Sequence, residues 1–301
     1  MDFLPRGQIR KALSGFYYVY CEGETYQTRG RGNFRKRNLT PLVGDEVIFE
    51  SGNQDEGILK ELLPRKNELV RPTVANVDLG VIVMSAVEPN FSSNLLDRFL
   101  VTLESKKIKA LIYLTKIDLL DQEQYQEMEQ IKVAYEKIGY PVILPKREMD
   151  HEPIEELTPY FKEKITVFMG QSGVGKSTLL NQIAPDLALK TGVISNALGR
   201  GKHTTRHVEL LPLYGGLVAD TPGFSSIEFL EVEADELPEL FPDFVEVQHE
   251  CRFRGCKHRE EPGCQVKKDV EEGTILASRY KHYLQFLEEV ENRKPKYGKK
   301  N

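Results

Sequence analysis

The apolar run Ile165–Met169 leads without a break into Gly170-Gln171-Ser172-Gly173-Val174-Gly175-Lys176-Ser177, after which Thr178 to Ile183 reads as a helix. Strand, Gly-rich turn and helix in that order let backbone amides curl around phosphate oxygens. In such a loop Gly170, Gly173 and Gly175 permit the curl, Lys176 bridges the β- and γ-phosphates, and the Ser177 hydroxyl ligates magnesium. Gln171, Ser172, Val174 and Thr178 complete the cradle. The chain must then build a sheet that presents this loop at the carboxyl end of a strand. A Gly-rich surface turn is the plainer reading, and the flanking strand and helix argue against it.

A second strand-end motif, Thr115-Lys116-Ile117-Asp118, comes about fifty residues before the phosphate loop. Guanine offers N1–H and an exocyclic amino group side by side, and one carboxylate, Asp118, can accept both. Adenine has no such pair, and the stem of Lys116 can cover the base face. After the phosphate loop come Thr204 and Thr205 in GRGKHTTRH, then Asp220-Thr221-Pro222-Gly223 behind an apolar strand. Asp220 is placed to hold magnesium through water, and the Gly223 amide to bond a γ-phosphate. Base motif before phosphate loop reverses the usual GTPase order, so the predicted fold is a circularly permuted P-loop GTPase domain.

The runs on either side define the rest. Phe16 to Cys21, Thr25 to Thr28, Leu42 to Phe49 and Ile58 to Leu62 are short and β-rich, with Gly-containing turns between them. Short strands without a helix predict a closed barrel of the oligonucleotide-binding (OB) type. Strands are expected at Val77 to Val87, Lys109 to Leu114, Pro141 to Leu144, Ile165 to Met169, His207 to Leu213 and Leu217 to Ala219, with helices at Asn94 to Ser105 and Gln122 to Ile138. Alternation of this kind gives a mostly parallel sheet. A further helix is expected from about Lys268 to Asn292. The fold class is therefore multidomain α/β: an OB-type barrel over 1–66, the permuted GTPase domain over 67–230, and a zinc-binding helical domain over 231–301.

Zinc is inferred from Cys251, Cys256, His258 and Cys264, three thiolates and an imidazole that close a tetrahedron with no position left for water. The spacing is not the common CxxC knuckle, and His249 is the nearest substitute ligand. Cys21 reads as a buried small residue. The chain carries 41 basic and 46 acidic residues, so its total charge does not advertise a nucleic-acid partner. Local charge does. Arg29, Arg31, Arg35, Lys36 and Arg37 crowd the barrel, Arg252, Arg254, Lys257 and Arg259 interleave with the zinc ligands, and the tail adds Arg293, Lys294, Lys296, Lys299 and Lys300. Phe34 can either stack on a base or pack inward. Seven acids without a base between Glu228 and Asp243 read as an acidic joint. No apolar run approaches a membrane span, and a monomer in the cytoplasm is expected.

Barrel, TKID, GQSGVGKST, GRGKHTT, DTPGF and the cysteine cluster together resemble the RsgA family of ribosome small-subunit-dependent GTPases, over essentially the whole chain. The resemblance implies binding to the small ribosomal subunit and its rRNA, hydrolysis of GTP to GDP there, and help in late maturation. It also implies one structural zinc, magnesium with GTP on Ser177 and Thr205, and a catalytic role for His203. Two departures from ordinary GTPases stand out. Thr115 replaces an Asn whose amide braces the base loop, which predicts modest guanine affinity. Phe224 stands where a water-orienting Gln is common, which predicts slow intrinsic turnover and keeps open an rRNA-binding scaffold with GTP as a structural ligand. The segment Leu144 to Glu148 matches no base-contacting element.

Overall fold

The computed structural model describes residues 4–30, 34, 39–146, 153–185, 208–220 and 232–293. Five strands open the chain: β1 (Arg6–Leu13), β2 (Phe16–Cys21), β3 (Glu24–Gly30), β4 (Glu46–Ser51) and β5 (Gly57–Leu62). β1 pairs with β2 and with β4, β2 with β3, β3 with β5 in parallel, and β5 with β4. The circuit is a closed barrel, as expected. Ile9, Val19, Val47, Phe49 and Leu59 point inward and are fully buried. Ser14-Gly15 and Glu22-Gly23 all have positive φ, the backbone a two-residue hairpin turn demands.

β1 itself is not evident in the sequence. Ile9 is its one fully buried side chain, and a bulge between Ile9 and Lys11 interrupts the two-residue alternation. After the barrel, β6 (Glu68–Val70) and β7 (Thr73–Ala75) form a hairpin. Arg65 anchors this passage to the barrel, with Nε and Nη2 donating to Asp45 at 2.6 and 2.8 Å.

The second layer is a sheet of β8 (Leu79–Ser85), β9 (Lys109–Thr115), β10 (Val142–Ile143), β11 (Ile165–Met169), β12 (Glu209–Leu213) and β13 (Gly216–Asp220). Its order is β10-β9-β8-β11-β13-β12, parallel except for β12. Lys11 pairs with Glu209, so barrel and sheet are continuous through β1 and β12. β8 and β11 are buried throughout because helices cover both faces. On one side lie α1 (Ser93–Ser105) and α2 (Gln122–Ile138); on the other lie α3 (Pro153–Phe161) and α4 (Lys176–Ile183). Ser92 caps α1, and Asp121 with Gln124 forms a capping box on α2, which Gly139 ends at φ 107°. Sequence periodicity gave no helix at α3, which carries Pro159 inside it.

The last unit contains α5 (Pro242–Val247), α6 (Gln265–Glu271) and α7 (Ala277–Glu291) around Leu237, Phe241, Phe244, Tyr283, Phe286 and Leu287, all fully buried. The single helix expected from Lys268 is two. Gly273 at φ 77° turns the chain between them, and Asp269 O accepts from both Thr274 N and Ile275 N. From Leu237 onward the acidic joint is part of this core, since Phe241 supplies a central ring.

This unit docks on α1 through buried charge. Asp97 accepts from Arg279 Nη1 at 2.5 Å and Tyr135 Oη at 3.0 Å, and His282 Nδ1 lies 2.6 Å from its other oxygen. Arg279 also forks onto Asp243 at 2.8 and 3.0 Å. Burial alone would lower the Arg279 pKa, and the two carboxylates outweigh it and raise it. At the rim Arg98 holds Glu289 bidentately at 2.7 and 2.8 Å. Among the described residues no helix is long and apolar enough to cross a membrane.

Candidate nucleotide site and metal centre

β9 and β11 flank β8, and their carboxyl ends deliver the two predicted motifs to one edge of the sheet. Between Met169 and Lys176 the chain takes positive φ at Gly170, Gly173 and Gly175. A Cβ on Gly170 would lie 2.3 Å from Val83 O, so this position tolerates no side chain. Val174 is buried against the sheet, while Gln171, Ser172 and Gly173 are exposed, as are Ser177 and Thr178 at the start of α4. Lys176 Nζ donates to Gly170 O at 2.5 Å and Gln171 O at 2.7 Å, which holds the ammonium at the mouth of the loop. Burial pushes its pKa down from the ordinary lysine value. The cost of desolvating that charge favours an anion beside it.

Thr115 closes the gap between the motifs. Its Oγ1 lies 2.6 Å from Val174 O in the phosphate loop and 3.2 Å from Met84 O. A hydroxyl carries one proton, and the shorter contact takes it. The threonine thus supplies the brace that its lack of an amide had put in doubt. Lys116 adopts φ 59°, and its ammonium donates to Glu88 O in the loop after β8. Ile117 is buried and anchors the turn, leaving Asp118 exposed beside it. The Glu88 loop carries no motif, which is why sequence reasoning passed over it; Pro89 Cδ comes within 4.0 Å of a Cβ built on Gly173.

Asp220 is the last residue of β13, opposite Glu209. Thr221, Pro222, Gly223 and Phe224 lie outside the described residues, as do His203, Thr204 and Thr205. Arg31, Arg35, Lys36, Arg37 and the tail from Lys294 are outside them too.

The four predicted zinc ligands come together. Their donor atoms all lie within 4.8 Å of one another. His258 Nδ1 is 3.3 Å from Cys264 Sγ and 3.7 Å from Cys251 Sγ, and those two sulfurs are 4.0 Å apart. Zinc–sulfur bonds of about 2.3 Å in a tetrahedron place sulfurs about 3.8 Å apart, so the donor set fits the ion. Burial pushes the Cys264 thiol up to about 12 and raises Cys256, while it lowers His258. Thiolates so disfavoured in isolation need a cation among them, and a neutral imidazole is the form that ligates.

The surrounding backbone is built for the cluster. Gln265 N approaches Cys251 Sγ at 3.3 Å and His258 N approaches Cys256 Sγ at 3.4 Å. Glu261 accepts from the amides of Lys257, Arg259 and Glu260 at 2.8, 2.8 and 3.1 Å. Burial opposes its charge, but those amides win and lower its pKa. Tyr280 and Tyr283 donate to the carbonyls of His258 and Lys257 at 2.7 and 2.5 Å. These supports have no fixed spacing and were not legible beforehand. His249 is largely exposed, pairs with Glu250, and is not in the cluster.

Fold and sites together define a P-loop nucleotide-binding protein whose Thr115–Asp118 segment precedes its phosphate loop, with a barrel before and a Cys3His centre after. The RsgA GTPase family model matches residues 62–230, and the RsgA N-terminal domain model matches residues 6–59. This chain belongs to the RsgA GTPase family. The small ribosomal subunit biogenesis GTPase RsgA of Enterococcus faecalis is 67% identical over 296 residues, covering 98% of this chain and 99% of the relative. The protein of the same name from Geobacillus kaustophilus is 54% identical over 294 residues, covering 98% and 100%. Among solved structures, YloQ, described as a circularly permuted GTPase, superposes with a TM-score of 0.83 at 48% identity and 98% coverage of both chains. YjeQ from Thermotoga maritima gives a TM-score of 0.83 at 35% identity, covering 96% of this chain and 99% of its own.

Proposed function

We propose that this chain is a GTPase that binds the small ribosomal subunit, hydrolyses GTP to GDP there and assists late maturation of the subunit. The hydrogen bond from Thr115 to Val174 carries the nucleotide part, because it joins base motif and phosphate loop into one pocket. Relatives named for small ribosomal subunit biogenesis support the partner.

In this reading Asp118 accepts the two guanine donors, Lys116 and Ile117 shape the base loop, and Thr115 fixes it to the phosphate loop. Residues Gly170 to Thr178 hold the phosphates, with Lys176 on the β- and γ-oxygens. Magnesium neutralises phosphate charge, and Ser177, Thr205 and Asp220 would hold it. Gly223 reports the γ-phosphate, and His203 orients the attacking water, the role that Phe224 cannot fill. Zinc on Cys251, Cys256, His258 and Cys264 is structural, because all four positions are protein donors. Residues 1–66, 67–230 and 231–301 act as three units of a cytoplasmic monomer, the outer two gripping rRNA.

The test is GTP turnover with and without purified small subunits, run in parallel with ATP. Multiple turnovers stimulated by subunits, and confined to GTP, are expected. Binding of GTP with no stimulated turnover would sink the reading in favour of a scaffold.

A further inference from the structure

The barrel carries on its outer wall a row of rings that no motif announced. β2 buries Val19 and Cys21 and packs Tyr17 on the core, so Phe16, Tyr18 and Tyr20 face outward and are half-buried. Their neighbours on β3 are Arg29, Gln27 and Thr25, and Ile58 on β5 lies beyond Arg29. The bulge in β1 sets Arg10 out of register, and its guanidinium lies over Tyr20, 3.4 Å from the ring centroid. Arg29 likewise covers Phe16 at 4.6 Å. Two cationic planes are therefore parked on the end rings, with Tyr18 between them. Phe34, by contrast, is buried, which resolves its two expected roles in favour of packing.

We propose that this outer face of β2 is a stacking platform for three consecutive unpaired nucleotides of RNA. One base lies on the guanidinium of Arg10, one on Tyr18 and one on the guanidinium of Arg29. The idea rests on the small-subunit reading for the source of the RNA. Aromatic rings and arginine planes are the surfaces on which splayed bases stack, and the cations suit the phosphates between them. Spacing decides the kind of RNA. Alternate residues of a strand are about 6.7 Å apart, twice the ~3.4 Å repeat of stacked bases, so the row fits an extended single strand and not a duplex. Arg10 Nε is buried without an acceptor among the described residues. An RNA oxygen reached by a small rotation of the guanidinium would satisfy that donor.

The experiment measures binding of fluorescently labelled hexauridylate, and of a labelled RNA duplex of equal length, to the full chain with GDP. One stacked base contributes about 1–3 kcal/mol, so Tyr18→Leu should weaken hexamer binding roughly five- to 150-fold. Tyr18→Phe keeps the ring and should stay within about twofold, and duplex binding should not respond to Tyr18→Leu. Unchanged hexamer affinity in Tyr18→Leu, or an equal loss for the duplex, overturns the platform. If Tyr18→Leu fails to fold, the exposed Arg29→Gln decides: a loss above about threefold supports the platform, and no loss overturns it. The partner is tested separately. Wild-type turnover stimulated by subunits, with hexamer binding indifferent to Tyr18→Leu, overturns the platform alone. A Tyr18-sensitive hexamer with unstimulated turnover supports the platform and sinks the subunit reading.

Discussion

Arg279→Met removes the buried cation that joins the C-terminal unit to α1. Its side chain is 1% exposed and makes three charge-assisted hydrogen bonds, one to fully buried Asp97 and two to Asp243. Methionine fills much of the space but leaves Asp97 with Tyr135 and His282, and Asp243 with no cation from α7. Removing one partner of a buried ion pair costs about 3–5 kcal/mol, most of it the stranded charge. The Arg98–Glu289 pair at the rim supplies the control, since Glu289 is exposed and Glu289→Gln should cost about 1 kcal/mol or less. Native-state hydrogen exchange reads the effect where it occurs. In Arg279→Met, the amides of α1 and α7 should lose protection together, by roughly 150- to 4,000-fold, while β2 and β3 are unchanged. Adding Asp97→Asn should recover part of the loss, because it removes the stranded charge. If Arg279→Met costs no more than Glu289→Gln, or if α7 loosens while α1 does not, the buried pair is not what couples the two units.

Three further outcomes follow. Thr115→Val, which keeps shape and loses the hydroxyl, should weaken GDP binding about three- to tenfold, and Thr115→Asn should restore most of it; equal affinity in Thr115→Val would show that the brace is idle. Chelation at neutral pH should release one zinc per chain and melt α5 to α7 before the barrel, whereas Cys264→Ser should bind no zinc; circular dichroism with metal analysis checks both. Burial raises the Glu104 pKa, against a lowering by the Tyr140 hydroxyl and Arg279. The folded state then disfavours the charged form, so Glu104 destabilises above its folded pKa and ceases to do so as pH falls towards 4. Glu104→Gln should accordingly raise the melting temperature at pH 7 and not at pH 4, and the reverse pattern would contradict the sign.

The nucleotide motifs and the zinc set were legible because each is a fixed spacing of chemically committed residues. Gly170, Gly173 and Gly175 stand where the backbone turns left-handed, and a thiol-rich cluster has few uses in a packed core. The parallel strands were legible as continuous apolar runs. What was hidden depends on contacts distant in sequence. β1 looks polar because its outer side chains are Arg, Gln and Lys and because the bulge at Arg10 breaks its period. Asp97 and Arg279 are 182 residues apart, and nothing local separates them from solvated charges. The two-helix end of the chain turned on Gly273, whose positive φ is a property of the fold that a helical apolar pattern cannot exclude. The contact that Thr115 makes was hidden for a related reason: the acceptor of its hydroxyl, Val174 O, lies 59 residues downstream.

The proposed function requires Asp118 to read guanine in the same pocket in which the Gly170–Thr178 loop holds the phosphates. Xanthine carries a carbonyl where guanine carries its exocyclic amino group, so an amide side chain should prefer it to guanine. The measurement is the affinity of Asp118→Asn for GDP and for xanthosine diphosphate. Asp118→Asn should lose at least a hundredfold in GDP affinity and gain affinity for xanthosine diphosphate, and Lys176→Ala should abolish the binding of both. Unchanged preference for GDP in Asp118→Asn would contradict it.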